Sequence, residues 1–186
     1  MSDLTTISKV KTYLGISGSA DDALLETLID ASSAAIKKFC QSDIVAADYT
    51  EYHDGAGGRC LVLRQRPINS IESIYDDLDR KYGSDTLIDE DDYTYKSESG
   101  LVIYTGGKFQ DGVKNVKVVY NAGYATVPDD VDLACRIQVA AWCNRAKQRG
   151  DGISAENIGE YSAEYSSDGL DGKVKELVLL YRTISV

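Results

Sequence analysis

Apolar and polar positions change their period twice along this chain. Apolar residues recur at helical spacing near the N-terminus, alternate between residues 48 and 121, and return to helical spacing after residue 128. In the first stretch Thr5 or Thr6 can cap a short helix through Leu14, which Gly15 ends. Ser19 or Asp21 can cap a second. Its Leu24, Leu25, Leu28, Ile29, Ile36, Phe39 and Cys40 fall on one face, with small Ala31, Ala34 and Ala35 between them. The middle stretch predicts strands over 49–53, 59–64, 68–75, 93–97, 101–105 and 113–120. The loop Asp54-Gly55-Ala56-Gly57-Gly58 joins the first pair, and the turn Glu98-Ser99-Gly100 closes a hairpin. Residues 76–92 are long and acidic, and read as a surface excursion between strands.

A third helix is predicted over 128–149, with Leu133, Ile137, Ala140, Ala141 and Trp142 on its apolar side. Arg145, Lys147 and Arg149 complement its C-terminal dipole, and Gly150 stops it. A looser segment follows, in which Tyr161, Ala163 and Tyr165 alternate with Glu160, Ser162 and Glu164, as a strand or an extended arm would. The last helix uses Leu170, Val174, Leu177, Val178 and Tyr181. Strands grouped between terminal helices predict an α+β fold: a mainly helical core of about four helices from both chain ends, with an inserted antiparallel β subdomain. The expected boundaries are 1–47 for the N-terminal helices, 48–122 for the β subdomain, and 123–186 for the C-terminal helices and tail.

The junction between the last strand and the third helix has a physical logic of its own. Val116, Val118 and Tyr120 share one strand face, with Asn115, Lys117 and Val119 on the other. Gly123 can turn the chain where a side chain would resist. Pro128 suits the opening of a helix, and Asp129, Asp130 and Asp132 sit where the helix dipole favours negative charge. Any strand-to-helix link could use these devices.

The totals narrow the function. With 186 residues the chain can bury roughly two-thirds of its unfolded surface, enough for an ordinary core. A formal net charge of −10 argues against general binding to nucleic acid or anionic membranes. It is compatible with a surface past which DNA slides without sticking. No apolar run is long enough to span a bilayer. The opening Met-Ser-Asp-Leu-Thr-Thr has neither a basic nor an apolar region, so no secretory signal is expected. The four cysteines, Cys40, Cys60, Cys135 and Cys143, form no Cys-x-x-Cys pair. Cys135 and Cys143 fall on one helix about 12 Å apart, too far to bridge, so reduced thiols are expected.

Catalytic signatures are sparse. The only histidine is His53, which reads as a strand-edge surface residue, and no Gly-x-Ser-x-Gly elbow exists. Cys and His do not cluster at zinc spacing. Asp76, Asp77, Asp79, Asp85, Asp89, Glu90, Asp91 and Asp92 are dense, but they miss the register of a calcium loop and read as a solvated acidic face. Neither the 54–58 loop nor Thr105-Gly106-Gly107-Lys108 has the context of a phosphate cradle. No cofactor or metal is expected. A carboxylate-based hydrolase stands as the alternative, motivated only by the 30 acidic residues and possible Cys/His chemistry. The 13 tyrosines fit either ordinary strands or a protein–protein interface.

The order of these motifs resembles the head–tail connector (adaptor, head completion) family of tailed phages. Leu4-Thr5-Thr6-Ile7-Ser8-Lys9-Val10 through Tyr13-Leu14-Gly15-Ile16 looks like that family's first helix, and Asp21-Asp22-Ala23-Leu24-Leu25 through Ile36 and Cys40 like its second. Arg66-Pro67-Ile68-Asn69-Ser70-Ile71, then Asp92-Tyr93 with Ser99-Gly100-Leu101-Val102-Ile103, resemble its strand region. The most specific part is Val119-Tyr120-Asn121-Ala122-Gly123-Tyr124 followed by Val127-Pro128-Asp129-Asp130. Ile158-Gly159 and Leu180-Tyr181-Arg182 are similar to its ending. The resemblance implies a structural virion protein rather than an enzyme, made in the host bacterial cytoplasm and placed in the head–tail neck of a phage or prophage. It implies a closed ring of about a dozen copies under the portal protein. The ring would extend the DNA channel without specific DNA binding and meet a stopper or tail-completion protein. It also implies that the C-terminal segment Leu180, Tyr181, Arg182, Thr183, Ile184, Ser185 and Val186 docks into the portal, with Arg182 as an anchor. Tyr120, Gly123, Tyr124, Pro128 and Asp129 form the structural junction.

Overall fold

The computed structural model describes residues 3–150 and 169–183. The fold is α+β, with four helices and two small antiparallel sheets among the described residues. The described residues of 1–41 and 127–184 form one unit, and residues 42–126 form the other. The alternating segment around Tyr161 and Tyr165 lies outside the described residues.

The first unit is helical. Helix α1 (Ile7–Leu14) begins where the Thr6 hydroxyl accepts the amide of Lys9, and ends at Gly15, whose φ of 66° is the left-handed stop that glycine adopts readily. Helix α2 (Asp22–Cys40) buries Leu25, Ile29, Ile36 and Cys40 along one stripe. Asp21 holds its N-cap position without a side-chain capping bond. Helix α3 (Asp129–Gly150) continues through Gly150, so the glycine expected to stop it is its last residue. Val131, Ala134, Cys135, Val139 and Cys143 supply its fully buried positions. Small residues let α2 and α3 approach closely: the Ser32 hydroxyl donates to the Cys135 carbonyl at 3.4 Å. Helix α4 (Gly172–Val178) opens on Asp171, which accepts the Lys173 amide, and passes into a 3-10 turn, Leu179–Tyr181. Buried Gln138 on α3 holds the start of this last segment. Its amide donates to the Gly169 carbonyl and its oxygen accepts the Asp171 amide at 2.9 Å.

The second unit is two three-stranded antiparallel sheets around one apolar cluster. Strands β1 (Ala47–Gly55), β6 (Gly112–Ala122) and β3 (Ile68–Asp76) form the first, with β6 in the centre. Strands β2 (Cys60–Val62), β5 (Leu101–Tyr104) and β4 (Tyr93–Lys96) form the second. Val116, Val118, Tyr120 and Ala122 alternate inward along β6 and meet Ile68, Ile74, Val102 and Phe109. The stretch between β3 and β4 is not wholly a solvated acidic face. Asp77 is 7% exposed, and its carboxylate accepts the amides of Asp79, Lys81 and Tyr82 at 2.7–2.8 Å. Burial raises the Asp77 pKa, but these amides outweigh it and the carboxyl sits below its ordinary value.

Candidate docking segment and strand-to-helix junction

The junction residues divide between the units. In the β unit, Tyr120 is 1% exposed, and its hydroxyl donates to Glu51 and accepts the Gln65 amide at 3.1 Å. Gly123 has a φ of 111°, and a Cβ there would meet the backbone of Ala46 and Val45 at 2.8 Å. Only glycine fits. Its amide donates to the Pro67 carbonyl, while Tyr124 exchanges backbone bonds with Ile44 and Ala46 at 2.7 and 2.9 Å. In the helical unit, the Pro128 carbonyl accepts the Asp132 amide at 2.9 Å, the first bond of α3, which starts at Asp129. Two of the three first-turn carboxylates are put to different uses. Asp132 is buried and pairs with Lys9 at 3.1 Å and Arg136 at 2.9 Å. Asp130 accepts the Tyr181 hydroxyl at 2.8 Å, tying the start of α3 to the chain's C-terminal turn.

The C-terminal segment is held at several points and bare at one. Val174 and Val178 are buried, the Arg182 guanidinium lies 5.4 Å over the Phe39 ring, and the Thr183 amide donates to the Cys40 carbonyl at 2.8 Å. Burial pushes the Cys40 thiol up to about 11, with Arg182 pulling it back, so it stays protonated. Between these anchors Leu179 and Leu180 face solvent, at 56% and 91% exposed. Of the residues expected to dock, Leu180 therefore presents a free apolar side chain, while Tyr181 and Arg182 bind their own chain. Ile184, Ser185 and Val186 lie outside the described residues.

His53 lies on an edge strand of its sheet, as expected, but its side chain is largely covered. Its side chain is 14% exposed, and its Nε2 is 2.8 Å from Glu51, which is 12% exposed. Glu51 also accepts the Tyr120 hydroxyl and the Arg64 amide. Burial raises the Glu51 pKa, but the bonds from His53, Tyr120 and Arg64 prevail and hold it below its ordinary value. The carboxylate is thus saturated by its own chain, an arrangement that braces structure rather than one poised to activate a nucleophile. Among the described residues no group of three or more His, Cys, Asp and Glu could hold a metal ion. No helix there is long and apolar enough to cross a membrane. Sequence reasoning missed Leu179, the Glu51–His53–Tyr120 group, and a tyrosine cluster around Lys117. The alternation of Tyr49, Glu51 and His53 on one strand face was the available signal for the second.

The same topology occurs in solved particle structures. A subunit of the structure described as "Neck of empty GTA particle computed with C6 symmetry" matches over 100% of this chain and 96% of its own, at 16% identity and a TM-score of 0.62. One from "Neck of native GTA particle computed with C12 symmetry" matches over 97% and 89%, at 16% identity and 0.60. One from "Virion of native gene transfer agent (GTA) particle" matches over 100% and 96%, at 18% identity and 0.62. At such identities the likeness is one of fold. No curated protein matches the chain. The family model for head completion proteins matches residues 3–184, the family that the junction and N-terminal motifs resemble, and this chain belongs to it.

Proposed function

We propose that this chain is a structural component of a phage-type head–tail neck. It assembles as a ring of about a dozen copies against the portal, extends the DNA channel and receives a stopper or tail-completion protein. Membership of the head completion family supports the role, and subunits of this fold in neck particles computed with C6 and C12 symmetry support a closed ring. The net charge of −10 supports a channel that DNA traverses without binding. The docking element is the C-terminal segment, and the observation that carries it is Leu180, 91% exposed on a turn whose neighbours are anchored. An apolar side chain held out on a fixed turn enters a partner's pocket at little entropic cost.

Co-sedimentation with portal rings from the same genome tests the role. Stoichiometric binding by the wild-type chain, lost in Leu180→Asp, is the expected result. Binding that survives Leu180→Asp would move the docking surface elsewhere, and no binding by either protein would overturn the neck role.

A further inference from the structure

The C-terminal segment packs on the helical unit through a repeat that does not by itself fix its place. Leu170, Val174 and Val178 are all buried and follow one another at intervals of four residues. A slide of the segment by four residues, about 6 Å along a helix, carries two of the three onto sites that already hold an apolar side chain. Apolar burial is non-directional, so it opposes such a slide by one site only. An evenly spaced aliphatic stripe leaves register to the polar groups it packs against, as in coiled coils where one buried amide fixes the pairing.

Gln138 of α3 is such a group, with 0% of its surface exposed. Its side-chain amide donates to the Gly169 carbonyl at 3.2 Å, and its oxygen accepts the Asp171 amide at 2.9 Å. These backbone groups are two residues apart and lie just ahead of α4, where the helix has not yet claimed them. Inside the helix such groups are already engaged: the Lys175 amide, one turn on, donates to the Asp171 carbonyl at 3.1 Å. A slide in either direction therefore withdraws both partners of Gln138 at once, in a place where water does not replace them. At the far end Tyr181 and Thr183 close on the same register, through Asp130 and the Cys40 carbonyl. Asp130 is only half-buried, so water competes for the Tyr181 bond. Gln138 faces no such competition and discriminates register more sharply.

We infer that Gln138 is a positioning residue for docking: it sets the register of residues 169–183 on the helical unit, and with it the height at which Leu180 is held out. The inference rests on the docking reading above and names the residue that places the turn. A slip bringing Val178 to the place of Val174 would carry Arg182 into a buried apolar site. The slip that Gln138 prevents is therefore the opposite one. It brings Val174 beside Cys40, where Val178 now accepts the thiol, and moves Leu180 by about one helical turn.

NMR of full-length Gln138→Leu tests it. Ser32→Ala is the control, since that hydroxyl bonds α2 to Cys135 of α3 and not to the C-terminal segment. In Gln138→Leu, contacts between Val178 and Cys40 should give way to contacts between Val174 and Cys40. The Thr183 amide should exchange roughly tenfold or more faster, while α2 amides keep their protection. Ser32→Ala should lower the melting temperature and change none of these. Should Gln138→Leu fail to fold, Asp171→Pro leaves α3 intact and removes the same amide, at a φ of −62° that proline adopts. Asp171→Ala, which keeps the amide and loses the cap, is its reference, and only the proline variant should show the slipped contacts. Val178–Cys40 contacts retained in the folded variant would overturn the inference. Faster exchange without Val174–Cys40 contacts would also overturn it, because Gln138 would then be a brace and not a register element. In portal co-sedimentation the slipped variant should bind roughly tenfold or more weakly and Ser32→Ala as the wild type does. Equal binding by the slipped variant would overturn the positioning role. Wild-type chain that does not bind portal would overturn the neck role instead, and the register is still decided by the contacts within the chain.

Discussion

Lys9 of α1 reaches across to Asp132 in the first turn of α3, with 3.1 Å between ammonium and carboxylate. The two residues are 123 positions apart, and the carboxylate is 3% exposed. Burial raises the Asp132 pKa, but the neighbouring Thr5 hydroxyl, the Lys9 hydrogen bond and the charges of Arg136 and Lys9 more than reverse this. The folded-state value is therefore depressed. Stability from this group is present above its unfolded value of 3.8 and is lost as pH falls through the lower folded value. Asp132→Asn should destabilise the helical unit by about 2 kcal/mol at neutral pH, the scale of charge-assisted hydrogen bonds. Urea melts of variant and wild type should converge at strongly acidic pH.

Gly123 and Gly57 both have positive φ, 111° and 67°, but differ in their surroundings. A Cβ at Gly57 meets nothing within 4 Å, whereas one at Gly123 strikes the backbone of Ala46. Gly57→Ala should lose only the conformational term, about 1 kcal/mol. Gly123→Ala must also part β6 from the segment before β1, and should cost a further 1–3 kcal/mol or so. Paired chemical-denaturation curves check the order, and equal losses would show that the chain relaxes around the added methyl.

How much of this was legible beforehand depended on whether the cause was local. Thr6 and Gly15 bound α1 as expected because capping acts within a turn. The six strands lie where the period-two runs placed them, with ends differing by one or two residues at most positions, since alternation is a property of each strand alone. Non-local pairings were not legible. Nothing near Arg182 in sequence announces Phe39, and nothing near Lys117 announces that Tyr82 will fold back over it. Asp77 lay in an acidic run that composition assigned to solvent, and only the loop's closure on its carboxylate shows otherwise. The exposure of His53, though not its place on an edge strand, was misjudged for a related reason, because alternation tells which residues share a strand face and not which face is covered.

Glu51, His53 and Tyr120 make a compact stability prediction. The Glu51 carboxyl is held below its ordinary 4.5, so its contribution is present above that value and fades as pH falls through the folded one. Glu51→Gln should lower the melting temperature near pH 7 and flatten its decline between about pH 5 and 3. Tyr120→Phe removes a hydroxyl that serves both Glu51 and the Gln65 amide, and should cost about 1–2 kcal/mol. A Tyr120→Phe protein as stable as the wild type would mean that water replaces the hydroxyl.

Arg182 and Leu180 separate holding the C-terminal turn from docking it. The Arg182 guanidinium stacks on Phe39, and the next residue's amide is bonded to the Cys40 carbonyl. If Arg182 secures the turn, Arg182→Ala should cost about 0.5–1 kcal/mol, the worth of a partly exposed cation–π contact, and the Thr183 amide should exchange its hydrogen faster. Leu180→Asp should leave both stability and exchange unchanged to within about 0.5 kcal/mol, because a side chain 91% exposed supports nothing in its own chain. Its effect should be confined to portal binding. The opposite pattern, with Arg182→Ala weakening portal binding while Thr183 exchange stays as in the wild type, would return Arg182 to the role of direct anchor. Hydrogen exchange read by NMR beside the co-sedimentation assay distinguishes the two, since a loosened turn and a lost contact both lower affinity but only the first unprotects Thr183.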